Sequence, residues 1–476
     1  MISLSLHPGP VHAACEPRRR WSFGLTGRSI GLLTAGFLLL IPGFWDSRLS
    51  YTMLLWDGLV FLAALLDCMR LPAPSQLAAM RTWSNAPALN SQTEIELTIE
   101  NGGRTIVNCR LVDDLPPALV ADPEARRLTA FPRVPQRLRY QVEPQERGDC
   151  QTGWLYVRYR SPLGLAERWA KANLTQTVRI YPALRTTEEQ QMFLARSHQI
   201  DLQLRQARQR GLGRDFESLR EYREGDDLRD ICWTATARRG SLITRQYQTE
   251  RSQAVWIVLD CGRLMRSRVA AVARTSSPTG TVSVPATRAH SKLDHACSTA
   301  VALAQLALYS GDRVGLLAYG HAVQQRLLPG RGSDHLRQLI ELLAQVRVEA
   351  SEADHLLATT VLNRLQPRRS LILWVTDLAE TAMRPEVIDG AVQLLRRHVL
   401  LFVAMAQPEV ELIARARPKN IEQMFRSAAA QEMTGRRELL LARLHEQGAL
   451  TLDLNPEALT SSVLNQYLTV KERAMV

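Results

Sequence analysis

Two aspartates stand where apolar runs stop. Asp260 closes Val255-Trp256-Ile257-Val258-Leu259, and Asp377 follows Leu371-Ile372-Leu373-Trp374-Val375-Thr376. Each run reads as a buried parallel strand. Both carboxylates are therefore expected at strand C-terminal ends, where open α/β sheets place their ligands. Hard oxygen donors there suit Mg²⁺, but the ion keeps its water unless the cage is well formed, and two carboxylates alone make a poor cage. The expectation is no cofactor, with Mg²⁺ at Asp260 and Asp377 as the lesser alternative. Both aspartates then accept hydrogen bonds from loop amides.

Other chemistry is thinly represented. The seven cysteines (Cys15, Cys68, Cys109, Cys150, Cys232, Cys261, Cys297) are scattered without a CxxC pair, as expected of reduced thiols in a cytosolic compartment. No HExxH motif occurs, and the spacing of His290 and His295 puts them on different helix faces. Gly211-Leu212-Gly213 lacks the third glycine, the following Gly-Lys-Ser/Thr and the preceding strand of a phosphate loop. A metal-dependent hydrolase, the first alternative function, would need a nucleophile or base beside the two aspartates. The net charge of +12 invites the second, nucleic-acid or membrane-surface binding. Only four of the 59 basic residues are lysine, and acidic residues interleave with the arginines, so no nucleic acid is expected. With 476 residues, 46% hydrophobic and 22% charged, the chain has material for about three globular units.

Those units follow from patterning. Beyond residue 251, apolar runs at Val255–Leu259, Arg313–Tyr319, Leu371–Thr376 and Val399–Met405 alternate with helical periods at 293–309, 333–346 and 354–365. That predicts a doubly wound α/β sheet, to which Ala449–Leu452 adds a short strand. A Ser/Thr/Pro-rich loop, 266–290, interrupts it and reads as a tolerated insertion. Residues 186–210 regain helical character. Residues 74–185 alternate with period two, as in Glu94–Glu100, Leu138–Val142, Trp154–Tyr159 and Val178–Ile180, which predicts an all-β immunoglobulin-like sandwich.

Near the start, Ser29–Trp45 and Tyr51–Leu66 are apolar, separated by a polar bend. Each gives roughly 25 Å of helix against a ~30 Å hydrocarbon core, predicting a transmembrane hairpin over 29–69 after a cytoplasmic tail, 1–28. Asp57 within the second segment costs about 2.5–3.5 kcal/mol if central. Arg18, Arg19, Arg20 and Arg28 precede the hairpin and Arg70 and Arg81 follow it, so the positive-inside rule leaves both ends in the cytoplasm.

The densest stretch carries a resemblance. Gly211, Gly213, Phe216, Leu219, Arg220, Tyr222, Gly225, Asp226, Asp227, Arg229, Ile231, Trp233, Ala237 and Arg238 closely resemble the signature of the bacterial domain-of-unknown-function family 58 (DUF58). The family commonly has Asp where this chain has Cys232. The resemblance extends back through Ser161-Pro162-Leu163-Gly164-Leu165 and forward nearly to the end. It implies a membrane hairpin, a β-sandwich and a von Willebrand factor A-like domain, here 251–476, with the signature and linker over 186–250. It also implies a non-enzymatic assembly role beside a MoxR-type AAA+ ATPase at the bacterial inner membrane. In A-domains an Asp-x-Ser-x-Ser loop, a distant Thr and a second Asp form a metal-dependent adhesion site. Asp260 and Asp377 match its aspartates, Gly262 and Leu264 replace the hydroxyls, and Ser351 is the nearest candidate for the Thr. Partner binding is accordingly expected at Asp260, Gly262 and Asp377, and at the signature residues Arg220, Tyr222, Asp226, Arg229, Trp233 and Arg238. Interleaved charges suggest that the signature forms a salt-bridged clasp.

Overall fold

The structure, a computed structural model, describes residues 8–18, 22–41, 51–121, 126–183, 191–197, 199, 215–223, 231–248, 253–270, 289–378 and 386–473. The chain divides into two compact units, Met1–Ala183 and Leu184–Val476.

In the first unit, the helix Gly27–Gly36 runs into a 3-10 turn, Phe37–Leu40, and a second helix spans Tyr51–Arg70. Only the second, 20 residues with mean hydropathy 1.7, is long and apolar enough to cross a membrane among the described residues. The first apolar segment is helical for ten residues before the 3-10 turn, and 42–50 lie outside the described residues. The helices pack together. Trp56 Nε1 donates to the Leu32 carbonyl at 3.0 Å, and a Cβ on Gly36 would stand 2.5 Å from Asp57 Oδ1.

Period-two alternation becomes a large antiparallel sheet. The strand Thr93–Asn101 pairs with Leu77–Trp83 and Gln136–Pro144, and Leu155–Arg160 pairs with Ala166–Ala172 and Val107–Asp113. Ile95, Leu97 and Ile99 from the first half share one buried cluster with Leu111, Val157 and Ala170 from the second. Residues 1–28, expected as a tail, instead contribute the strands Val11–Pro17 and Phe23–Leu25. Val11–Ala14 pairs with Leu77–Trp83 and Cys15–Pro17 with Ala166–Ala172, so this strand joins the two halves. Its small residues and short length hid it from a hydropathy reading. Inside the core Arg81 forms a buried ion pair with Asp113, which also accepts the Tyr140 hydroxyl.

The second unit is an α/β sheet in the order Val323–Gly330, Arg313–Tyr319, Ala254–Asp260, Leu371–Thr376, Val399–Met405, Leu450–Leu454. All neighbours are parallel except Val323–Gly330, which pairs antiparallel at the edge. Sequence patterning missed that edge strand, because Gln324-Gln325-Arg326 and Pro329 are what an exposed edge tolerates. Trp256, Val258, Ile372, Trp374, Leu400 and Phe402 point into a core covered by the helices His355–Leu365, Glu386–Leu395 and Ile421–Glu446. The helix Lys292–Tyr309 packs with Ser333–Gln345 and Leu459–Glu472. Doubly wound architecture follows from this alternation.

The signature region contains its own antiparallel pair, Asp215–Glu221 with Ile243–Gln248, and a short helix, Trp233–Arg239. That helix ends at Gly240 with φ +70°, the left-handed cap that glycine supplies without strain. Helical residues also occupy 191–197 within the predicted 186–210 stretch. The rim of the 266–290 loop closes as a ribbon, Arg268–Ala270 against Ala289–Ser291, and 271–288 lie outside the described residues. None of the seven cysteines, all among the described residues, forms a disulfide.

Candidate functional site at the strand ends

Seven buried residues carry the strand Ala254–Asp260 straight to its terminal carboxylate. There Asp260 Oδ1 accepts the Gly262 N–H at 2.7 Å, turning the chain into the 3-10 helix Arg263–Arg266. Its Oδ2 accepts the Thr376 hydroxyl at 2.6 Å from the neighbouring parallel strand. A side chain at position 262 has no room: a Cβ would stand 2.9 Å from the Ala353 nitrogen. The hydroxyl that an adhesion-type loop needs at that position is therefore excluded by backbone as well as by residue type.

Asp377 is fully buried, and a cation already holds it. Lys292 Nζ donates to Asp377 Oδ2 at 2.6 Å and to the Met405 carbonyl at 3.3 Å, while Gln407 Nε2 donates to the same Oδ2 at 3.1 Å. Arg437 NH1 lies 3.9 Å from Asp377 Oδ1, donates to the Met405 carbonyl at 2.9 Å, and its fork grips Asp453. Lys292 is the first residue of its helix, after a capping box in which Ser291 and Asp294 bond reciprocally. A cation at a helix N-terminus opposes the macrodipole, so its place there depends on the Asp377 partner. Burial pushes the Lys292 ammonium below the ordinary lysine range, and Asp377 opposes that fall.

Among the described residues no such cation pairs with Asp260. Burial pushes its carboxyl up to about 6, against the pull of the Thr376 and Gly262 hydrogen bonds, and the charges of Asp377 and Glu349 add to the rise. Glu349, nearer the surface, is the counterexample. Burial alone would raise it, but hydrogen bonds from the His321 N–H, Gln324 and Ser351 hold it below the usual carboxylate range. Under the sheet ends, Trp374 Nε1 donates to Tyr319 OH at 2.7 Å, and that hydroxyl meets His355 Nδ1 at 2.9 Å.

The residues singled out from sequence fall into three groups. Asp260, Gly262 and Asp377 come together, but buried, shaping the loops rather than facing a partner. Leu264 is half-buried, and Ser351 spends its hydroxyl on Glu349 Oε2 at 3.3 Å. Among the signature residues Trp233 and Arg238 are exposed, Tyr222 is half-buried with its N–H on the Leu242 carbonyl, and Arg220 donates to the Glu221 carbonyl. Asp226 and Arg229 lie outside the described residues, as do Asp227 and Asp230 of the expected clasp. His290 and His295, expected apart, meet edge to face with centroids 6.0 Å apart. Residue-type reasoning missed Lys292, Thr376, Gln407 and Arg437. Two signals were available: lysine is rare in this chain, and one follows Ser291 at a capping box. No group of three or more His, Cys, Asp or Glu placed to hold a metal occurs among the described residues.

Beside Arg437 a cleft of about 600 Å³ opens between the helices Pro408–Arg415 and Ile421–Glu446, lined by Gln407, Glu411, Arg415, Gln431 and Asp453. Its charges are mixed in sign.

The family model described as protein of unknown function DUF58 matches residues 218–413. That span starts in the signature hairpin and covers both strand-end aspartates. Uncharacterized proteins of Mycobacterium tuberculosis and Mycobacterium bovis are each 26% identical over 207 residues, covering 42% of this chain and 58% of theirs. Among solved structures, BatB from Bacteroides thetaiotaomicron is similar over 47% of this chain and 100% of its own, at 12% identity and TM-score 0.28. The SpRpn10 VWA domain is similar over 45% and 95%, at 12% identity and TM-score 0.25. Superpositions at these scores carry no argument for function.

Proposed function

We propose that this chain is a membrane-anchored protein-interaction factor of the inner membrane, with its bulk in the cytoplasm. Its second unit is a von Willebrand factor A-like domain that docks a MoxR-type AAA+ ATPase or that ATPase's client. Its first unit is an immunoglobulin-like sandwich carrying the anchor, a hairpin completed by the first apolar segment. The doubly wound order with one antiparallel edge strand supports the A-like reading, and the signature resemblance supports the ATPase.

One observation carries the mechanism. Asp377, one of the two carboxylates that would hold a metal ion, is instead paired with the Lys292 ammonium, so the strand-end face is organised by a tethered cation. Binding is then metal-independent, and the exposed rim, including the Arg263–Glu352 pair at 3.1 Å, makes the contact.

The test is co-purification of the detergent-solubilised protein with mass spectrometry of what accompanies it, in Mg²⁺ and in EDTA. An AAA+ ATPase should be recovered in both buffers from wild type. Recovery only in Mg²⁺ that an Asp260→Ala variant abolishes would overturn metal independence. Absence of any ATPase from both would overturn the partner.

A further inference from the structure

The register of the first unit gathers three loops at one end of its sheet. Leu77 lies opposite Asn101, Val107 opposite Ala130, Ile99 opposite Gln136 and Arg160 opposite both Asn108 and Glu167. Loops 102–106, 131–135 and 161–165 therefore share that end. Both helices leave from it as well. Asp67 Oδ2, near the end of the Tyr51–Arg70 helix, accepts the N–H groups of Leu165 and Ala166 at 3.1 and 3.0 Å. Thr26, capping the other helix, donates to the Gly164 carbonyl, and Thr105 Oγ1 donates to the Arg70 carbonyl at 2.9 Å. The Ser161–Leu165 motif is thus the joint between sheet and helices.

Each loop presents an apolar side chain beside an arginine. Ile106 is 38% exposed next to exposed Arg104, and Phe131 and Val134, 44% and 49% exposed, flank exposed Arg133. Leu163, 58% exposed, follows exposed Arg160. The opposite end is the internal control. Among the described residues its loops 84–92, 114–118, 145–147, 153–154 and 173–175 expose no large apolar side chain and no arginine and carry exposed Asp114 and Glu146, while Val120, 53% exposed in the short strand Leu119–Ala121, stands at that end without an exposed arginine in those loops. What distinguishes the first end is that its exposed apolar tips each stand near an exposed arginine.

We propose that this end is a lipid-contact surface, seated on an anionic bilayer with its loop tips in the headgroup layer and Arg104, Arg133 and Arg160 on lipid phosphates. The chemistry is that of interfacial binding: apolar tips enter the headgroup–acyl boundary, and cations are attracted to an anionic surface. Continuity with the apolar Tyr51–Arg70 helix selects lipid over a protein partner. The proposal rests on reading that helix as a membrane anchor. Clamped by Asp67, Thr26 and the seated loops, the unit stands fixed on the membrane.

The test uses the full chain in phosphatidylcholine–phosphatidylglycerol vesicles, with Cys68 and Cys150 replaced by serine. An environment-sensitive fluorophore is placed at Leu163→Cys, Phe131→Cys, the far-end control Val120→Cys, or Leu59→Cys within the helix. Headgroup-attached nitroxide lipid should remove most of the emission at 163 and 131 and leave that at 120. Acyl-chain nitroxide should quench the label at 59. Reversing Arg104, Arg133 and Arg160 to glutamate should restore emission at 131. Labels at 163 and 131 as bright as that at 120, with 59 quenched, would overturn the seated surface while leaving the anchor. An unquenched label at 59 would overturn the anchor, and this inference with it. Quenching that survives the arginine reversal would overturn the anionic preference.

Discussion

Lys292 sits against the field of its own helix and is almost wholly buried, so Asp377 is what keeps it charged and in place. Removing one partner of such a pair strands the other. Lys292→Met should therefore destabilise the second unit by about 3–5 kcal/mol in urea unfolding, and Lys292→Met with Asp377→Leu should recover much of that loss. A double variant as unstable as the single would deny that the ion pair is the cause. Asp260 makes the opposite prediction. Its folded-state pKa of about 6 stands above the unfolded value, so the folded state binds that proton more tightly. Its contribution is fully favourable below about pH 4 and is lost as pH rises through about 6, a swing of roughly 3 kcal/mol. Asp260→Asn keeps an acceptor for the Gly262 N–H and can donate to Thr376, so stability should flatten between pH 4 and 6. The same slope in wild type and variant would place the titration elsewhere.

Elements were legible in proportion to how completely burial dictated their residues. The strands Arg313–Tyr319, Leu371–Thr376 and Val399–Met405 lie where uninterrupted apolar runs put them, because a parallel strand covered on both faces has no polar side to disguise it. Val11–Pro17 and Val323–Gly330 were illegible for the converse reason: each is partly exposed, and pairing alone defines it. The aspartates of the site were visible as strand terminators. The lysine holding one of them was not, since nothing local tells a lysine at a helix start that its partner lies 85 residues away. Asp67 is a similar long-range device. It stands in an apolar helix and bonds two N–H groups of the Leu165 turn. Asp67→Leu should leave the helix formed but orphan those amides, at about 1–3 kcal/mol. Hydrogen exchange at Leu165 and Ala166 should then quicken by roughly tenfold or more. Unchanged exchange would mean that the turn holds its shape without the helix.

For the whole molecule, the placement of Val11–Pro17 changes what can be removed together with the two apolar segments. A deletion designed from hydropathy would begin the chain after Arg70, discarding a tail along with two apolar segments. That cut also removes the strand shared by both halves of the sheet, leaving the Leu77–Trp83 and Ala166–Ala172 edges unpaired. Unpaired edges template association, and the buried Cys15 and half-buried Val11 and Ala13 would leave the core. The sequence-distant ends of the two helices meet at one turn: Thr26 bonds the Gly164 carbonyl, and Asp67 bonds the Leu165 and Ala166 amides. A short Gly/Ser linker of about six residues, reaching roughly 13 Å, can therefore join Thr26 to Leu71 without disturbing the sheet. Excision of 27–70 with that linker should give a monodisperse protein that keeps the antiparallel sheet, whereas the chain starting at Leu71 should aggregate. Size-exclusion chromatography with circular dichroism distinguishes them. If the chain starting at Leu71 stays monomeric with native strand content, Val11–Pro17 is dispensable and the first unit begins where hydropathy alone would start it.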